Sequence, residues 1–381
     1  MALGSEPGFT SHPATQQPLE EPLAADEQTP LIQPGKPRME DGGPAGIPAP
    51  RFRSRSRSRA NDNAPTTDPS TGPRCLPQAI AHRGYKVVAP ENSMLAFRAA
   101  VEAGAHAIET DLHLSSDGVV VLSHDAALKR CFGEDSKIRD HPWRYLSTLR
   151  TIRKPEQPMP RLVDLLEYMN QPGVEHVWVM LDIKTHDDAT ELLRATADAI
   201  ASVPAVRPWS ERILPCCWSI QYVQLTKEFL PGFPIAHVGM SSMYARALAA
   251  YVPNLSASMV QNLLAMPITG WRFIRDMKKA GHPIYTWTVN DENWMEWSIR
   301  KELDGVITDD PKLFLEVCNR VAGKEAEGRP GRLVTRRSWK AAAKNAFDWA
   351  RYIPAILLVM SIYFVRHGFP HTQVRKALGN K

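Results

Sequence analysis

The sequence has few cysteines, and their spacing is not typical of a disulfide-linked or metal-binding fold. Its 381 residues contain five, at positions 75, 131, 216, 217 and 318. An odd number with this spacing matches neither a disulfide framework nor a structural zinc site. The adjacent pair Cys216 and Cys217 lies in an apolar run, where buried free thiols are expected. A reducing compartment suits such a chain.

The first part of the chain lacks bulky apolar residues. Residues 1–74 are rich in Pro, Gly, Ser, Thr, Glu and Gln and have no periodic apolar face, so they are predicted to be disordered. Residues 1–35 have neither a basic start nor an apolar core, and no secretory signal is expected there. Arginine alternates with serine over 51–59, but no RNA-binding fold accompanies this segment. No nucleic-acid partner is therefore expected.

Near the C-terminus an uncharged apolar run is present but short. The fourteen residues 352–365 would reach about 21 Å as a helix, against roughly 30 Å of hydrocarbon. Extended with boundary charges, the segment predicts a membrane helix over 347–366, between a basic linker at 323–346 and a basic tail at 367–381. A helix lying in the interface, or one packed on the folded domain, stays open. We expect an intracellular membrane (endoplasmic reticulum, mitochondrion, lipid droplet or vacuole), with the folded domain in the cytosol.

Between these regions, residues 75–322 alternate short apolar runs with helix-period segments. The strand-like runs are 78–82, 107–111, 119–123, 177–183, 213–218, 234–238, 284–289 and 305–308. The helix-like segments are 93–103, 161–169, 189–202, 220–229, 271–280, 292–300 and 311–321. Alternating β and α units indicate a parallel sheet, and the length suits a closed (β/α)8 barrel. Periodicity alone leaves an open doubly wound sheet possible.

Charged and polar side chains gather where the predicted strands end. They are His82 and Arg83, then Glu109 and Asp111, then His124 and Asp125, and finally Asp182 and Lys184. Residues two apart in a strand point to the same face, so Glu109 and Asp111 share one face, as do Asp182 and Lys184. A buried strand should not end in clustered charge without compensation. These strand ends are therefore candidates for a site.

The residue types in this cluster predict a particular chemistry. Carboxylates aimed at one point repel each other unless a cation binds between them, and all-oxygen ligands favour Mg²⁺ or Ca²⁺. Two histidines beside such an ion can serve as general acid and general base. Arg83 and Lys184 would complement a phosphate, and the ion would hold its non-bridging oxygens.

Several motifs, in this order, resemble those of the glycerophosphodiester phosphodiesterase family. They are His82-Arg-Gly, Pro90-Glu-Asn-Ser, Glu109-Thr-Asp111, Asp117-Gly, His124-Asp125, Pro160-Arg-Leu-Val-Asp-Leu-Leu166, Leu181-Asp-Ile-Lys184, Trp287-Thr-Val-Asn290 and Asp304-Gly-Val-Ile-Thr-Asp309. The likeness covers residues 79–321. It implies a TIM barrel, here with a disordered N-terminal extension and a C-terminal membrane helix.

Carried over residue by residue, the resemblance implies a complete site. Its members would be Glu109, Asp111 and Asp182 as metal ligands, His82 and His124 as the catalytic pair, and Arg83, Lys184, Asn92 and Trp287 as substrate-binding residues. Asn92 would order the first loop, while Trp287 would form a wall of the site or pack in the core. Many family members carry Glu in place of Asp182, which leaves the identity of the metal open.

The resemblance also implies a reaction. A glycerol hydroxyl beside the phosphoester attacks phosphorus, one histidine acts as base, the other as acid, and water then opens the cyclic phosphate. With its hydrophobic tail the chain looks like the fungal phosphatidylglycerol phospholipase C branch, which predicts diacylglycerol and glycerol 3-phosphate as products. The alternatives are an enzyme for deacylated glycerophosphodiesters or lysophospholipids, and a silent, membrane-tethered lipid-binding protein.

Overall fold

The structure is a computed structural model that describes residues 76–326 and 370–377. Its strands are β1 Gln78–His82, β2 Ala107–Leu114, β3 Val120–Leu122, β4 Trp178–Ile183, β5 Ile213–Cys217, β6 Ala236–Gly239, β7 Ser256–Val260, β8 Ile284–Trp287 and β9 Gly305–Thr308. The first helices are α1 Met94–Glu102, α2 Lys129–Phe132, α3 Trp143–Leu146, α4 Leu162–Met169, α5 Ala189–Ser202 and α6 Ile220–Phe229. The others are α7 Ser242–Tyr251, α8 Gln261–Leu264, α9 Thr269–Ala280, α10 Glu292–Arg300, α11 Pro311–Ala326 and α12 Pro370–Ala377.

In the described ranges the strands form one sheet that closes on itself. Their order is β1-β9-β8-β7-β6-β5-β4-β2-β3, and β1 also pairs with β2. All neighbours are parallel except β3, which runs antiparallel along β2. Eight parallel strands with helices between them make a TIM barrel. The closed ring excludes the open sheet that periodicity had left possible.

Two details of the predicted strand set were wrong. Residues 119–123 were counted among the β/α units, but β3 lies outside the ring as an antiparallel extension of β2. The strand that completes the set of eight in the barrel is β7. The sequence analysis did not predict it, and did not predict α7 before it. Ser256-Ala-Ser-Met-Val260 contains small polar residues in place of an apolar run, so its pattern carries little strand signal.

Apolar side chains fill both the inside of the barrel and the layer beneath the helices. Trp178, Met180 and Tyr285 belong to the inner cluster, in which Trp178 and Tyr285 are almost completely buried. At Gly305, in β9, a Cβ would lie 2.8 Å from Cδ1 of Tyr285. Only glycine leaves room for that ring. A larger cluster lies between the sheet and helices α4 to α7, and Val374 of α12 is buried within it.

Strand register brings the candidate residues to one end of the barrel. His82 is the register partner of Glu109, and Asp111 is the partner of Asp182 on the next strand. Since all eight barrel strands are parallel, their carboxyl ends meet at one face, where TIM barrels place their sites.

Three sequence predictions lie largely or entirely outside the described residues. They are disorder over 1–74, the linker at 323–346, whose first four residues belong to α11, and the membrane helix at 347–366. In the ranges that the structure does describe, no helix combines the length and apolar character that a membrane crossing requires. Within the tail, α12 packs on α6 and α7, and Nε2 of Gln224 donates a hydrogen bond to the carbonyl of Ala377 at 2.8 Å.

Candidate active site

The loop after β1 has an unusual backbone that brings its side chains over the barrel. Arg83 and Asn92 have φ of 57° and 49°, and Gly84 between them has φ of 83°. At Gly84 a Cβ would lie 2.7 Å from Cβ of Ala96, so glycine lets the loop pack on α1. Left-handed residues other than glycine cost about 1–3 kcal/mol each and concentrate at functional sites. Hydrogen bonds from Arg83 N to the Glu109 carbonyl (2.8 Å) and from Asn92 N to the Arg83 carbonyl (2.9 Å) offset that cost.

Three carboxylates converge beside this loop. Glu109 and Asp111 come from β2 and Asp182 from β4, and one oxygen of each lies within 4.8 Å of the others. All three are buried, with Asp111 only 1% exposed. Asn92 Nδ2 donates to Asp111 Oδ2 at 2.8 Å and so fixes the orientation of that carboxylate.

Two cations face the carboxylates without balancing them. Lys184 Nζ lies 2.7 Å from Asp111 Oδ1 and 2.6 Å from Asp182 Oδ2, and Arg83 Nε lies 3.4 Å from Asp111 Oδ2. Burial and the other two carboxylates hold the pKa of Glu109 well above its usual range. Burial also raises the pKa of Asp182. For Asp111 burial acts in the same direction, but Lys184 and Arg83 outweigh it and lower its pKa.

This donor set fits a divalent cation. Were all three carboxylates ionised, they would exceed the two cations by one buried negative charge, and the raised pKa of Glu109 reflects that cost in the absence of a further cation. A dication together with a phosphodiester monoanion would bring the cluster to neutrality. Carboxylate oxygens are the ligands that Mg²⁺ and Ca²⁺ prefer.

The Nδ1 atom of each candidate catalytic histidine is hydrogen-bonded to an aspartate carboxylate. His82 Nδ1 is 2.6 Å from Asp309 Oδ1, at the end of β9. Asp309 in turn accepts hydrogen bonds from Asn290 Nδ2 at 2.9 Å and from Lys86 Nζ at 3.0 Å. Burial opposes ionisation of Asp309, but its bonds to His82 and Lys86 lower its pKa to about 2. With Nδ1 held by Asp309, Nε2 is the ring nitrogen of His82 that could exchange a proton in the cavity.

The same arrangement recurs at His124. Its Nδ1 lies 2.7 Å from Asp125 Oδ1, and Arg130 binds the other oxygen of Asp125. Arg130 also pairs with Glu91, which accepts a hydrogen bond from Arg83 Nη1 at 2.9 Å. Acidic and basic side chains therefore alternate along a continuous chain of contacts from His124 to Arg83. Burial lowers the pKa of His124, as it does that of His82.

These groups line one small cavity of about 130 Å³. The charged part of its lining consists of His82, Arg83, Glu109, Asp111, His124, Asp182 and Lys184. The rest is mainly apolar and includes Met180, Cys216, Trp218, Val238, Trp287 and Ile307. The indoles of Trp218 and Trp287 meet edge to face, with ring centroids 6.1 Å apart. Trp218 Nε1 also donates to Asp182 Oδ1 at 2.7 Å.

The structure brings every residue of the predicted site to this end of the barrel. All of them line the cavity except Asn92, which contacts it through its hydrogen bond to Asp111. The sequence analysis assigned no role to four partners of that set. Asp125 was named among the strand-end residues, and Asp309 and Glu91 lay in the quoted motifs. Asp309 also follows a predicted strand, so its position at a strand end could have identified it. Trp218 carried no signal, because nothing in the sequence relates it to Asp182.

The chain is similar in sequence to proteins of one known family. The sequence model of the Glycerophosphoryl diester phosphodiesterase family matches residues 82–313. A glycerophosphodiester phosphodiesterase from Caldanaerobacter subterraneus is 25% identical over 252 residues, covering 63% of this chain and 97% of the relative.

Solved structures share the fold. A glycerophosphodiester phosphodiesterase from Thermotoga maritima is 28% identical with a TM-score of 0.51, over 63% of this chain and 98% of that one. An Oleispira antarctica phosphodiesterase in complex with the product sn-glycerol-3-phosphate has a TM-score of 0.56 at 22% identity. That match covers 64% of this chain and 97% of the other.

Proposed function

The chain belongs to the glycerophosphoryl diester phosphodiesterase family, a family of phosphoric diester hydrolases, and we propose that its substrate is phosphatidylglycerol, cleaved to diacylglycerol and glycerol 3-phosphate. One observation carries the proposal. Two histidines, each with Nδ1 on a carboxylate, line the same cavity as three convergent carboxylates and two cations. That combination suits in-line displacement at a phosphodiester.

The residues divide into binding and proton-transfer groups. Glu109, Asp111 and Asp182 would hold Mg²⁺ or Ca²⁺, which when bound supplies charge stabilisation at the non-bridging phosphate oxygens. Arg83 and Lys184 orient the phosphate. Lys184 is held by two carboxylates, and these raise its pKa against the effect of burial, so it stays charged.

The substrate's own glycerol supplies the nucleophile. One histidine takes the proton from the head-group hydroxyl next to the phosphoester, and that oxygen bonds to phosphorus. The bond from phosphorus to the diacylglycerol oxygen breaks, and the other histidine protonates the leaving oxygen. Water then opens the five-membered cyclic phosphate with the histidine roles reversed, giving glycerol 3-phosphate. An attacking group already tethered to phosphorus removes much of the entropic barrier.

Two features favour a substrate whose head group is glycerol, and a third favours a lipid. Phosphatidylglycerol has a free glycerol able to cyclise, which a choline or ethanolamine head group lacks. The cavity of about 130 Å³ is smaller than the roughly 300 Å³ at which drug-sized pockets begin, so it suits a glycerol phosphate and not an acyl chain. The predicted tail at 347–366 would hold the barrel at an intracellular membrane.

A second candidate substrate is a deacylated glycerophosphodiester or a lysophospholipid. The names of the relatives favour it, whereas the sn-glycerol-3-phosphate bound in the Oleispira antarctica structure is a product expected from either substrate. Its glycerol moiety offers the same attacking hydroxyl, so the chemistry at the two histidines would be unchanged.

A substrate panel separates these possibilities. The full chain is incubated with Mg²⁺ or Ca²⁺ and with phosphatidylglycerol vesicles, lysophosphatidylglycerol, glycerophosphoglycerol or glycerophosphocholine, and products are read by mass. We expect diacylglycerol and glycerol 3-phosphate from phosphatidylglycerol at the highest kcat/KM. Faster turnover of the deacylated compounds would favour the second candidate. No turnover of any of them, with the protein folded, would leave the silent lipid-binding protein.

A further inference from the structure

Large apolar side chains are exposed mainly at one end of the barrel. In residues 76–326 and 370–377 the exposed ones are Val87, Val88, Ile152, Val206, Met240, Met243, Ile268 and Trp271. All but Val206 lie beyond the carboxyl ends of the barrel strands, around the mouth of the active site. Single exposed apolar residues are ordinary, but their concentration on one face marks an interaction surface.

One group of these residues lies beside β1. Val87 and Val88, about half exposed, belong to the loop between β1 and α1. Ile152 is 62% exposed, and the guanidinium of the neighbouring Arg153 donates hydrogen bonds to the carbonyls of Lys86 and Val87. The two segments are thereby tied into one patch, the β1 patch, made of Val87, Val88 and Ile152.

The second group lies across the mouth. Met240 and Met243 follow β6, and Ile268 and Trp271 lie between β7 and the first turn of α9. In the closed order of the barrel β6 is four strands from β1, so this β6–β7 patch faces the β1 patch across the active site.

Ile268, directly before α9, has a backbone conformation that is unusual for a β-branched residue. Its φ and ψ are 65° and −63°, and Thr269 N bonds to the Pro267 carbonyl at 2.7 Å, which together form a strained γ-turn. A β-branched residue at positive φ is a genuine outlier. Its side chain is nevertheless 64% exposed, so the strain presents an apolar group to the surroundings.

Each patch also has a cation beside it. Arg153 follows Ile152, and Arg272 follows Trp271. Both are exposed, and neither has a carboxylate within ion-pair distance among the described residues. Nearby Lys154 and Arg275 pair with Glu156 and Asp276 and contribute less net charge. Apolar side chains flanked by uncompensated arginines match the boundary between acyl chains and anionic head groups.

We propose that the β1 patch and the β6–β7 patch dock the mouth of the barrel onto a lipid bilayer containing anionic lipids. The inference rests on the proposed lipid substrate and adds how that substrate is reached. The cavity admits a head group but no acyl chain, so a docked barrel takes the head group while the acyl chains stay in the bilayer. Diacylglycerol then never has to leave the membrane.

The test places a charge on each patch in the full chain. Val88→Asp and Ile268→Asp remove one apolar contact each, and Val206→Asp is the matched control. Val206 is 65% exposed but lies between α5 and β5, at the opposite end of the barrel. Turnover is measured on phosphatidylglycerol vesicles and on water-soluble glycerophosphoglycerol.

We expect Val88→Asp and Ile268→Asp each to lose about tenfold or more of the vesicle rate, the scale of exposing one buried aliphatic side chain, and to keep the soluble rate. Val206→Asp should match wild type on both substrates. Patch variants that equal Val206→Asp on vesicles would overturn the proposal and leave the surface to a protein partner.

A second readout does not depend on activity. Hydrogen–deuterium exchange of the full chain, with vesicles containing phosphatidylglycerol, should slow at residues 86–88 and 266–272 but not at 204–207. Slowed exchange without vesicle turnover would refute the lipid substrate and keep the docking surface. Unchanged exchange with normal vesicle turnover would refute the docking surface and keep the lipid substrate.

Discussion

Removing the carboxylate behind each histidine should show which one is the acid and which the base. Asp309→Asn and Asp125→Asn are matched changes, since each replaces an oxygen bonded to Nδ1, at 2.6 Å from His82 and 2.7 Å from His124. Both carboxylates have pKa values lowered to about 2, in each case against the effect of burial, through hydrogen bonds to histidine and to a neighbouring cation. Both are therefore ionised wherever the enzyme is assayed.

The size of the effect follows from the bond that is lost. A hydrogen bond to a charged group contributes about 1.5–3 kcal/mol, so kcat/KM should fall about 10- to 150-fold in each variant if the bond is fully used in the transition state. The neutral amide can still occupy the site, and Lys86 and Asn290 continue to surround position 309. Folding should therefore be retained, as circular dichroism and the unfolding midpoint would verify.

The pH profile separates the two roles. Burial lowers the pKa of His82, and Asp309 opposes this, so Asp309→Asn should lower that pKa further. Asp125 acts in the same way on His124. If the histidine is the base, a lower pKa shifts the acidic limb of the kcat/KM profile to lower pH. If it is the acid, the alkaline limb shifts to lower pH instead. We expect the two variants to move opposite limbs. Rates within twofold of wild type, or the same limb moving in both, would refute the account.

Further predictions concern the histidines, the metal, the tail and a buried imidazole. His82→Ala or His124→Ala should abolish turnover in a folded protein, and retained activity would remove that residue from the mechanism. EDTA should abolish activity and Mg²⁺ or Ca²⁺ restore it, whereas full activity in chelator would discard the metal. Deleting residues 347–381 should shift the chain from membrane to soluble fractions, and unchanged partitioning would mean that the tail is not the anchor. Burial lowers the pKa of His237 to about 4, partly opposed by its bond to the Cys217 carbonyl. Since the unfolded imidazole titrates near 6.5, the unfolded chain binds more protons between those values, and stability should fall by about 2 kcal/mol from pH 7 to 5. In His237→Gln, urea titrations should show that this part of the pH dependence of the free energy of unfolding is lost. An unchanged pH dependence would mean that other groups cause it.

The sequence grouped the candidate residues at one end of a predicted barrel, but it assigned one strand of that barrel wrongly. Glu109, Asp111 and Asp182 could be grouped in advance because strand-end carboxylates share a face, and parallel strands end together. Register then determines which of them become neighbours, as with Asp111 and Asp182. Register depends on the closure of the ring, which local periodicity does not contain.

What could not be predicted depends on contacts distant in sequence. Strand β7 has weak propensity and exists because β6 and β8 lie on either side of it. Trp218 reaches Asp182 only because β4 and β5 are adjacent, and Asp309 reaches His82 because β9 closes against β1. The exposed patches likewise could not be predicted, because the sequence does not indicate whether an isolated Val or Ile is buried or exposed.

Anomalous diffraction from crystals grown with Mn²⁺ or Ca²⁺ tests the central claim most directly. We expect one strong peak at roughly 2.0–2.6 Å from oxygens of Glu109, Asp111 and Asp182, with Nε2 of His82 and of His124 facing it across the cavity. No peak at saturating ion, or a peak bound elsewhere with these three carboxylates empty, would contradict it.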